Sequence, residues 1–331
     1  MKLKILIYFI LIFSLLYSCS KHDTDVTTKP GTLDYMELFK SQSPFYNSIP
    51  SNAQTDPNSE IMIQGFVEQS KQGFVIAVKK WTVAVYNADA NTPLHDVKLT
   101  AYWAPENKLV NVPIPDYAEP DPSDDGSMVI IDQNNGCIYD FWKMRNTMGK
   151  WKAGWGNALL LESNGIFPKG FSARGSGFEL LQGVIWPQEL EKGEINHALI
   201  FSYDYTRSGG FVSPATESDG TSDGIENIPE GALLQLNPDL DLSLLNLNDY
   251  ELTVAKAMQK YGMYCADDGG GVQLYAINPV SFSKNPYENI WGDKTYVDLS
   301  KIPAGQFRVL KLPPQQNSEP ELVSNSCAEF R

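Results

Sequence analysis

The sequence predicts a mainly β fold, an antiparallel two-sheet β-sandwich of jelly-roll type with two or three peripheral helices. Three observations carry that prediction. Short runs rich in Val, Ile, Tyr, Phe and Trp recur along the chain, and one of them alternates apolar and polar residues as a half-buried strand does. Gly, Pro, Asn and Asp punctuate these runs at short intervals. Helical periodicity is confined to two full segments and one shorter one. These do not alternate with the strands, so a parallel βαβ arrangement fits poorly.

Taken in order, Asn58 or Ser59 can cap a helix whose apolar face is Met62, Ile63, Phe66 and Val67, with Gly73 as its stop. Residues 74–78 and 81–86 follow as β-branched, aromatic-rich strands. Between 97 and 103, Val97, Leu99, Ala101 and Trp103 fall on one face. Residues 128–131 and 137–142 flank Asn134-Asn135-Gly136 and read as a hairpin, because Asn-Gly readily adopts the left-handed turn. Strands are further expected at 151–161, 198–203, 272–277 and 307–312. A short helix can start at Pro187 and end by Gly193. A longer one opens near Asn248, carries Tyr250, Val254, Met258 and Tyr261, and stops at Gly262. Asp267-Asp268-Gly269-Gly270-Gly271 reads as a hairpin turn.

Charge excludes several partners. The 331 residues carry 26 basic and 40 acidic side chains, a net charge of −14. No Lys/Arg-rich run offers a local exception, so nucleic acid is excluded as a partner and anionic polymers are disfavoured. Seven Trp, sixteen Tyr and fifteen Phe exclude disorder over most of the chain.

The N-terminus gives an address. Lys2 and Lys4 precede an apolar run from Ile5 to Tyr17, too short for a permanent span of roughly 20 residues. It ends in Leu16-Tyr17-Ser18-Cys19, which resembles the bacterial lipoprotein signal. That resemblance implies a signal peptide at 1–18, lipidation of Cys19 and a lipidated tether over 19–42, with one helical stretch near residues 35–39. A single domain is expected over 43–314, then a polar, loosely held tail over 315–331. The expected location is extracytoplasmic, at the outer membrane or cell surface, with the membrane as a partner through the acyl chains. Removing 1–18 discards two Lys and no acid, leaving 24 basic against 40 acidic side chains, or −16. Cys137, Cys265 and Cys327 then remain, enough for one internal bridge in an oxidising compartment. All three pairings are open; Cys265 with Cys327 is preferred, as a staple for the tail.

Several segments together resemble a family of secreted, largely uncharacterised bacterial proteins. They are Ser43-Pro44-Phe45-Tyr46, Gly136-Cys137-Ile138-Tyr139-Asp140-Phe141-Trp142, Ser172-Ala173-Arg174-Gly175-Ser176-Gly177, Gly193 to Leu199 and Lys260-Tyr261-Gly262-Met263-Tyr264. The resemblance spans most of 43–312. It implies one continuous domain, and no reaction or cofactor.

Candidate chemistry comes from the residues themselves. His197 enters an apolar run, Ala198-Leu199-Ile200-Phe201, and could act as general acid or base or sit as a core histidine bonded to backbone. Asp140 lies inside a strand, where Asp is disfavoured, and needs a partner such as Arg174. Asp124 and Asp125, with Asp121, crowd one turn. Asp267 and Asp268 form a second acidic pair. Trp142, Trp151 and Trp155, alongside Trp81, Trp103 and Trp186, exceed what one core needs, and indole faces stack on sugar C–H faces. No metal and no cofactor is expected, since a multi-His zinc site and a phosphate loop both fail. The 219–224 loop has oxygen ligands for Ca²⁺ but lacks the EF-hand pattern and reads as solvated. A Gly-x-Ser-x-Gly elbow is absent around Ser176.

The expectation is therefore a lipid-anchored protein acting on or binding a carbohydrate at the cell envelope. A groove of His197, Asp140, Arg174 and Asp124 or Asp125, walled by Trp142, Trp151 and Trp155, would hydrolyse a neutral glycan. Alternatives are a glycan-binding, structural or adhesion lipoprotein without catalysis, or a polysaccharide lyase, which the negative charge disfavours.

Overall fold

A computed structural model describes residues 33–331. The expected signal at 1–18, the expected lipidation site Cys19 and the expected tether as far as residue 32 lie outside the described residues. Among the described residues the helices are α1 (Ser59–Ser70), α2 (Pro187–Lys192) and α3 (Asp249–Lys260). The strands begin with β1 (Phe74–Ala77), β2 (Ala84–Ala88), β3 (Leu94–Leu99), β4 (Lys108–Pro113), β5 (Met128–Asp132), β6 (Cys137–Trp142), β7 (Arg145–Thr147) and β8 (Lys150–Ala153). They continue with β9 (Trp155–Leu160), β10 (Leu199–Tyr203), β11 (Leu233–Leu236), β12 (Met263–Asp268), β13 (Val272–Tyr275), β14 (Tyr296–Asp298) and β15 (Phe307–Val309).

The fold is mainly β with few helices, as expected from the sequence, and its strands form three sheets. The largest has the order β14-β1-β13-β10-β12-β11-β15; the others are β2-β5-β6-β9 and β4-β3-β8-β7. The expectation of two purely antiparallel sheets needs correction. Each sheet contains parallel pairs: β1 with β13, β10 with β12, β2 with β5 and β3 with β8. The physical reason lies in strands that are apolar on both faces, which must be covered on both sides. In β10, Leu199, Phe201 and Tyr203 join α1 and α3 in one core, while Ile200 joins a second core against the β2-β5-β6-β9 sheet. In β5, Val129 and Ile131 face that second core, and Met128 and Ile130 face a third, shared with Val97, Leu109 and Trp151 of the outer sheet. The molecule is thus layered as helices, large sheet, middle sheet and outer sheet.

Local signals account for most element ends. Asn248 accepts the N–H groups of Tyr250 and Glu251, and Glu251 returns a bond to Asn248 N, closing a capping box on α3. α2 begins with Pro187 and ends at Gly193, whose φ is +74°. β5 and β6 form the expected hairpin, with Gly136 at φ +66°. By contrast, Asn58 makes no side-chain cap on α1, and the Ser59 hydroxyl instead accepts Val309 N–H at 2.8 Å. The expected strand over 97–103 stops at Leu99, and the one over 151–161 breaks at Gly154 into β8 and β9, which join different sheets. Asp267 to Gly271 is not a hairpin turn, because β10 lies between β12 and β13. No helix forms over 35–39; a turn follows, and Leu33 and Phe39 are buried against the domain.

The tail is stitched down and not loose. Cys327 bonds Cys137 across 190 residues, Phe330 stacks on Trp155 at 5.7 Å, and Val110 N–H donates to Glu329 O at 2.9 Å. The preferred Cys265–Cys327 pairing is therefore overturned. Cys265 is buried in the core under the large sheet, whereas Cys327 lies in the core between the middle and outer sheets.

Candidate functional site

An open cleft of about 670 Å³ lies where one end of the middle sheet meets the C-terminal end of β12. The register Met128↔Phe141↔Gly156 brings the start of β5, the end of β6 and the start of β9 to that end, so Trp142 and Trp155 fall side by side. Gly154 is required for this packing: a Cβ there would stand 2.6 Å from the Trp142 ring. Trp142 donates its indole N–H to Asp125 Oδ1 at 3.0 Å, and Trp155 donates to Phe171 O at 2.7 Å. Trp103, 43% exposed, stacks on Trp142 at 6.3 Å and on Phe171 at 6.4 Å, with Trp155 beneath at 5.7 Å. These rings form an aromatic wall.

Much of the remaining lining is acidic. Glu217, Asp219, Asp267 and Asp268 belong to it, with Glu230 buried beneath. One carboxylate oxygen each from Asp219, Glu230 and Asp267 lie within 4.8 Å of one another. Gly175 permits the approach, since a Cβ there would meet the Asp219 carboxylate at 2.4 Å. Asp219 N–H donates to Glu230 Oε2, Asp268 N–H donates to Asp219 Oδ1, and Glu230 Oε1 has no hydrogen-bond partner. Such crowding disfavours ionisation. Burial, then the neighbouring Asp268, pushes Asp219 up to about 6. Burial, then the Asp219 charge, holds Asp267 and Glu230 well above the usual carboxylate range. Burial also raises Glu217 to about 7, although it accepts the N–H groups of Phe171 and Ser172.

Arg174 faces this cluster. Its Nη atoms donate to Glu179 O and Leu180 O, its Nε lies 4.0 Å from Asp267 Oδ2, and its guanidinium sits 5.3 Å from the Tyr275 ring centre. Carboxyl groups whose protons are held with different strength thus stand side by side, the pattern of paired acid and base groups. Its all-oxygen donor set could alternatively hold a hard cation such as Ca²⁺. Of the 219–224 loop only Asp219 joins the trio, while exposed Asp223 accepts a hydroxyl bond from Ser208.

The residues expected from the sequence divide between this cleft and elsewhere. Arg174, Asp125, Trp142 and Trp155 line it together. Asp140 lies fully buried behind it. Its Oδ2 accepts Leu180 N–H at 3.1 Å, its Oδ1 is unpaired, and burial pushes it up to about 8 against the pull of Leu180 N–H and Arg174. Glu179 beside it is also held well above its ordinary range, by burial first and then by Asp140. Arg174 spends its hydrogen bonds on main-chain carbonyls, so its partnership with Asp140 is electrostatic only. Asp124 is exposed on the turn, where its carbonyl accepts from Arg145. Trp151 is buried between the middle and outer sheets, edge-on to His95.

His197 is not in the cleft. It is buried, with Nε2 3.0 Å from Glu189 Oε1 and Nδ1 2.9 Å from Ala198 O. Burial works against its proton, but the Glu189 charge and hydrogen bond outweigh burial and raise its pKa. Tyr35 OH donates to the same Glu189 oxygen, so the imidazole belongs to a clasp holding the N-terminal segment. The expected grouping of His197, Asp140, Arg174 and a turn Asp in one groove therefore does not form. Glu217, Glu230, Phe171 and Tyr275 were missed. Glu217 and Glu230 sit in loops without any local pattern, while two acids ending the apolar strand β12 were the visible signal for Asp267.

Comparisons of the chain with protein-family models, with curated proteins and with solved structures return no match, which leaves the geometry of the cleft as the ground for a functional reading.

Proposed function

We propose that the protein is a lipid-anchored, extracytoplasmic glycoside hydrolase acting on a neutral glycan at the cell envelope. The observation that carries this reading is the close pair of carboxyl groups, Asp219 and Asp267, lining the same cleft as the indoles of Trp103 and Trp142. Sugar rings offer C–H faces to such indoles, and their hydroxyls suit the surrounding carboxyl groups. The acidic lining, relieved only by Arg174 among the described residues, disfavours uronates and so a lyase. The lipoprotein-like signal and the Cys137–Cys327 bond support an oxidising, extracytoplasmic address.

Retaining glycosidases hold their carboxyl groups roughly 5–5.5 Å apart, against about 6.5–9.5 Å in inverting ones. The Asp219 and Asp267 oxygens lie within 4.8 Å of one another, closer than an inverting pair, so the retaining route is the one proposed. Asp219 attacks the anomeric carbon as Asp267, whose burial favours the protonated form, gives its proton to the departing glycosidic oxygen. Asp267 then takes a proton from water, which attacks the same carbon and frees Asp219. Arg174, against Asp267, steadies that carboxylate once it has lost its proton.

The test is to incubate the chain lacking its first 19 residues with neutral and acidic polysaccharides, following new reducing ends and the ultraviolet absorbance of an unsaturated lyase product. Hydrolysis with retained anomeric configuration, lowered at least about a thousandfold by Asp219→Asn or Asp267→Asn, is expected. Glycan retention without turnover would assign a binding protein instead, and silence toward every glycan would refute the reading.

A further inference from the structure

The aromatic cleft does not end at its own wall. A second groove, bordered by Gly73, Gly270, Gln273 and Tyr296, adjoins it. The two share Trp81, Asp268 and Tyr275 as lining residues. Together they make one open path running from the Trp103–Trp142 wall, past the carboxyl pair, to the β1–β14 edge of the large sheet. We propose, building on the hydrolase reading above, that this path binds an extended, uncharged oligosaccharide chain across several sugar units, with Trp81 as the platform between the catalytic cleft and the distal groove.

Three observations carry the proposal. Trp81 is 39% exposed and has φ of +59°, a backbone conformation that bulky residues rarely adopt and that persists where the surroundings over-determine it. The surroundings do so. Asp121 accepts the N–H groups of Trp81 and Thr82 through its two oxygens, Gln273 Nε2 donates to Trp81 O at 3.0 Å, and Asn278 braces Asp121 at 2.7 Å. These bonds fix the main chain that carries the indole at the junction of two grooves, which lowers the ordering cost of a contact there.

The distal groove also has the right chemistry. Its floor is glycine-rich, and a Cβ at Gly73 or Gly270 would meet nothing within 4 Å, so a ring can lie against the backbone. Tyr296, 40% exposed, supplies a second aromatic face, and Gln72, Gln273 and Ser202 supply amides and a hydroxyl for sugar hydroxyls. No Lys or Arg lines it among the described residues, and Asp268 is its one acid. A blind pocket would suit an end-trimming enzyme. This open path suits internal cleavage of a chain.

The experiment measures affinity by calorimetry for ladders of gluco-, xylo- and manno-oligosaccharides from two to eight units, with Asp219→Asn to prevent turnover. Affinity is expected to rise about tenfold or more once the chain outgrows the catalytic cleft. Tyr296→Ala and Gly270→Phe are expected to abolish that increment while leaving the shortest bound chain within about twofold of its original affinity. In the active enzyme, mid-chain products are expected to appear before monosaccharide. Equal affinity at all lengths, or an increment surviving both substitutions, overturns the extended site and leaves the hydrolase reading intact. Absence of binding at every length overturns both. The two variants act at an edge strand and in open space, so loss of folding in one leaves the other to decide.

Discussion

At the scale of single residues, the chemistry of a side chain here follows from what it touches more than from its type. His197 and Asp219 are both titratable near neutrality, yet their surroundings separate their roles. Glu189 and the Ala198 carbonyl occupy both nitrogens of His197, which leaves no nitrogen free to exchange a proton with a substrate. Replacing His197 by Ala takes the ionic partner from a buried Glu189, leaving it the Tyr35 hydroxyl and the Trp186 N–H, and is expected to cost about 3 kcal/mol of stability, the usual loss when one member of a buried pair is removed. Denaturant unfolding checks the cost, and kcat on the preferred glycan is expected to stay within about twofold. A loss of kcat exceeding a hundredfold at unchanged folding would return His197 to the active site. The sequence made Arg174, Asp125, Trp142 and Trp155 legible, because an Asp inside a strand calls for a cationic partner, acids crowd the 121–125 turn, and the tryptophans exceed what one core needs. It could not reveal that Asp219 and Asp267, 48 residues apart, share a proton environment, since long-range proximity has no local signature.

At the scale of elements, the same division between local and non-local information recurs. Hairpin β5–β6 and helices α1, α2 and α3 were legible because their determinants lie within a few residues: Asn-Gly, the Asn248 cap, Pro187 and Gly193. The five unexpected strands, β4, β7, β11, β12 and β14, are mostly short or mixed in polarity; partners distant in the chain define β11, β12 and β14, whereas β4 and β7 pair with their chain neighbours β3 and β8. Parallel pairing escaped for the same reason: an apolar run such as β10 shows that both faces are covered, not by what. The capping box offers an element-scale check. Asn248→Ala removes the acceptor for two N–H groups at the start of α3, which packs on β11, away from the cleft. Stability is expected to fall by about 1 kcal/mol, and by up to about 2, with glycan turnover unchanged. A fall in turnover matching that in stability would show that α3 bears on the cleft after all.

At the scale of the whole molecule, two couplings set the conditions under which the fold holds. The first is covalent. The Cys137–Cys327 bond closes a loop that contains β7 to β15 and fixes the tail that carries Phe330 onto Trp155, beneath the aromatic wall. Cys137→Ser with Cys327→Ser is expected to cost about 2–5 kcal/mol and to weaken glycan affinity along with it, both readable by unfolding and calorimetry.

The second coupling is to protons, and its sign follows from the shifts. Asp140, Glu217 and Asp219 have folded pKa values of about 8, 7 and 6, above their ordinary 3.8, 4.5 and 3.8, so the folded protein binds protons that the unfolded chain has released. A carboxyl group raised in this way contributes stability fully below its unfolded value and loses it as pH rises through its folded value. His197, raised above 6.5, acts in the same direction, its contribution present below that value and lost above its folded one. Every one of these groups therefore favours the acidic side, and the net charge of −14 adds self-repulsion as remaining protons leave. The melting temperature is expected to be highest at mildly acidic pH and to fall steadily from about pH 5 to about pH 8. Asp140→Asn keeps a neutral acceptor for Leu180 N–H and has no proton to lose, so its melting curve should decline less across that window and cross above the parent near its alkaline end. A parent protein whose stability rises between pH 5 and 8, or an Asp140→Asn profile parallel to it, would show that these carboxyl groups enter the fold ionised.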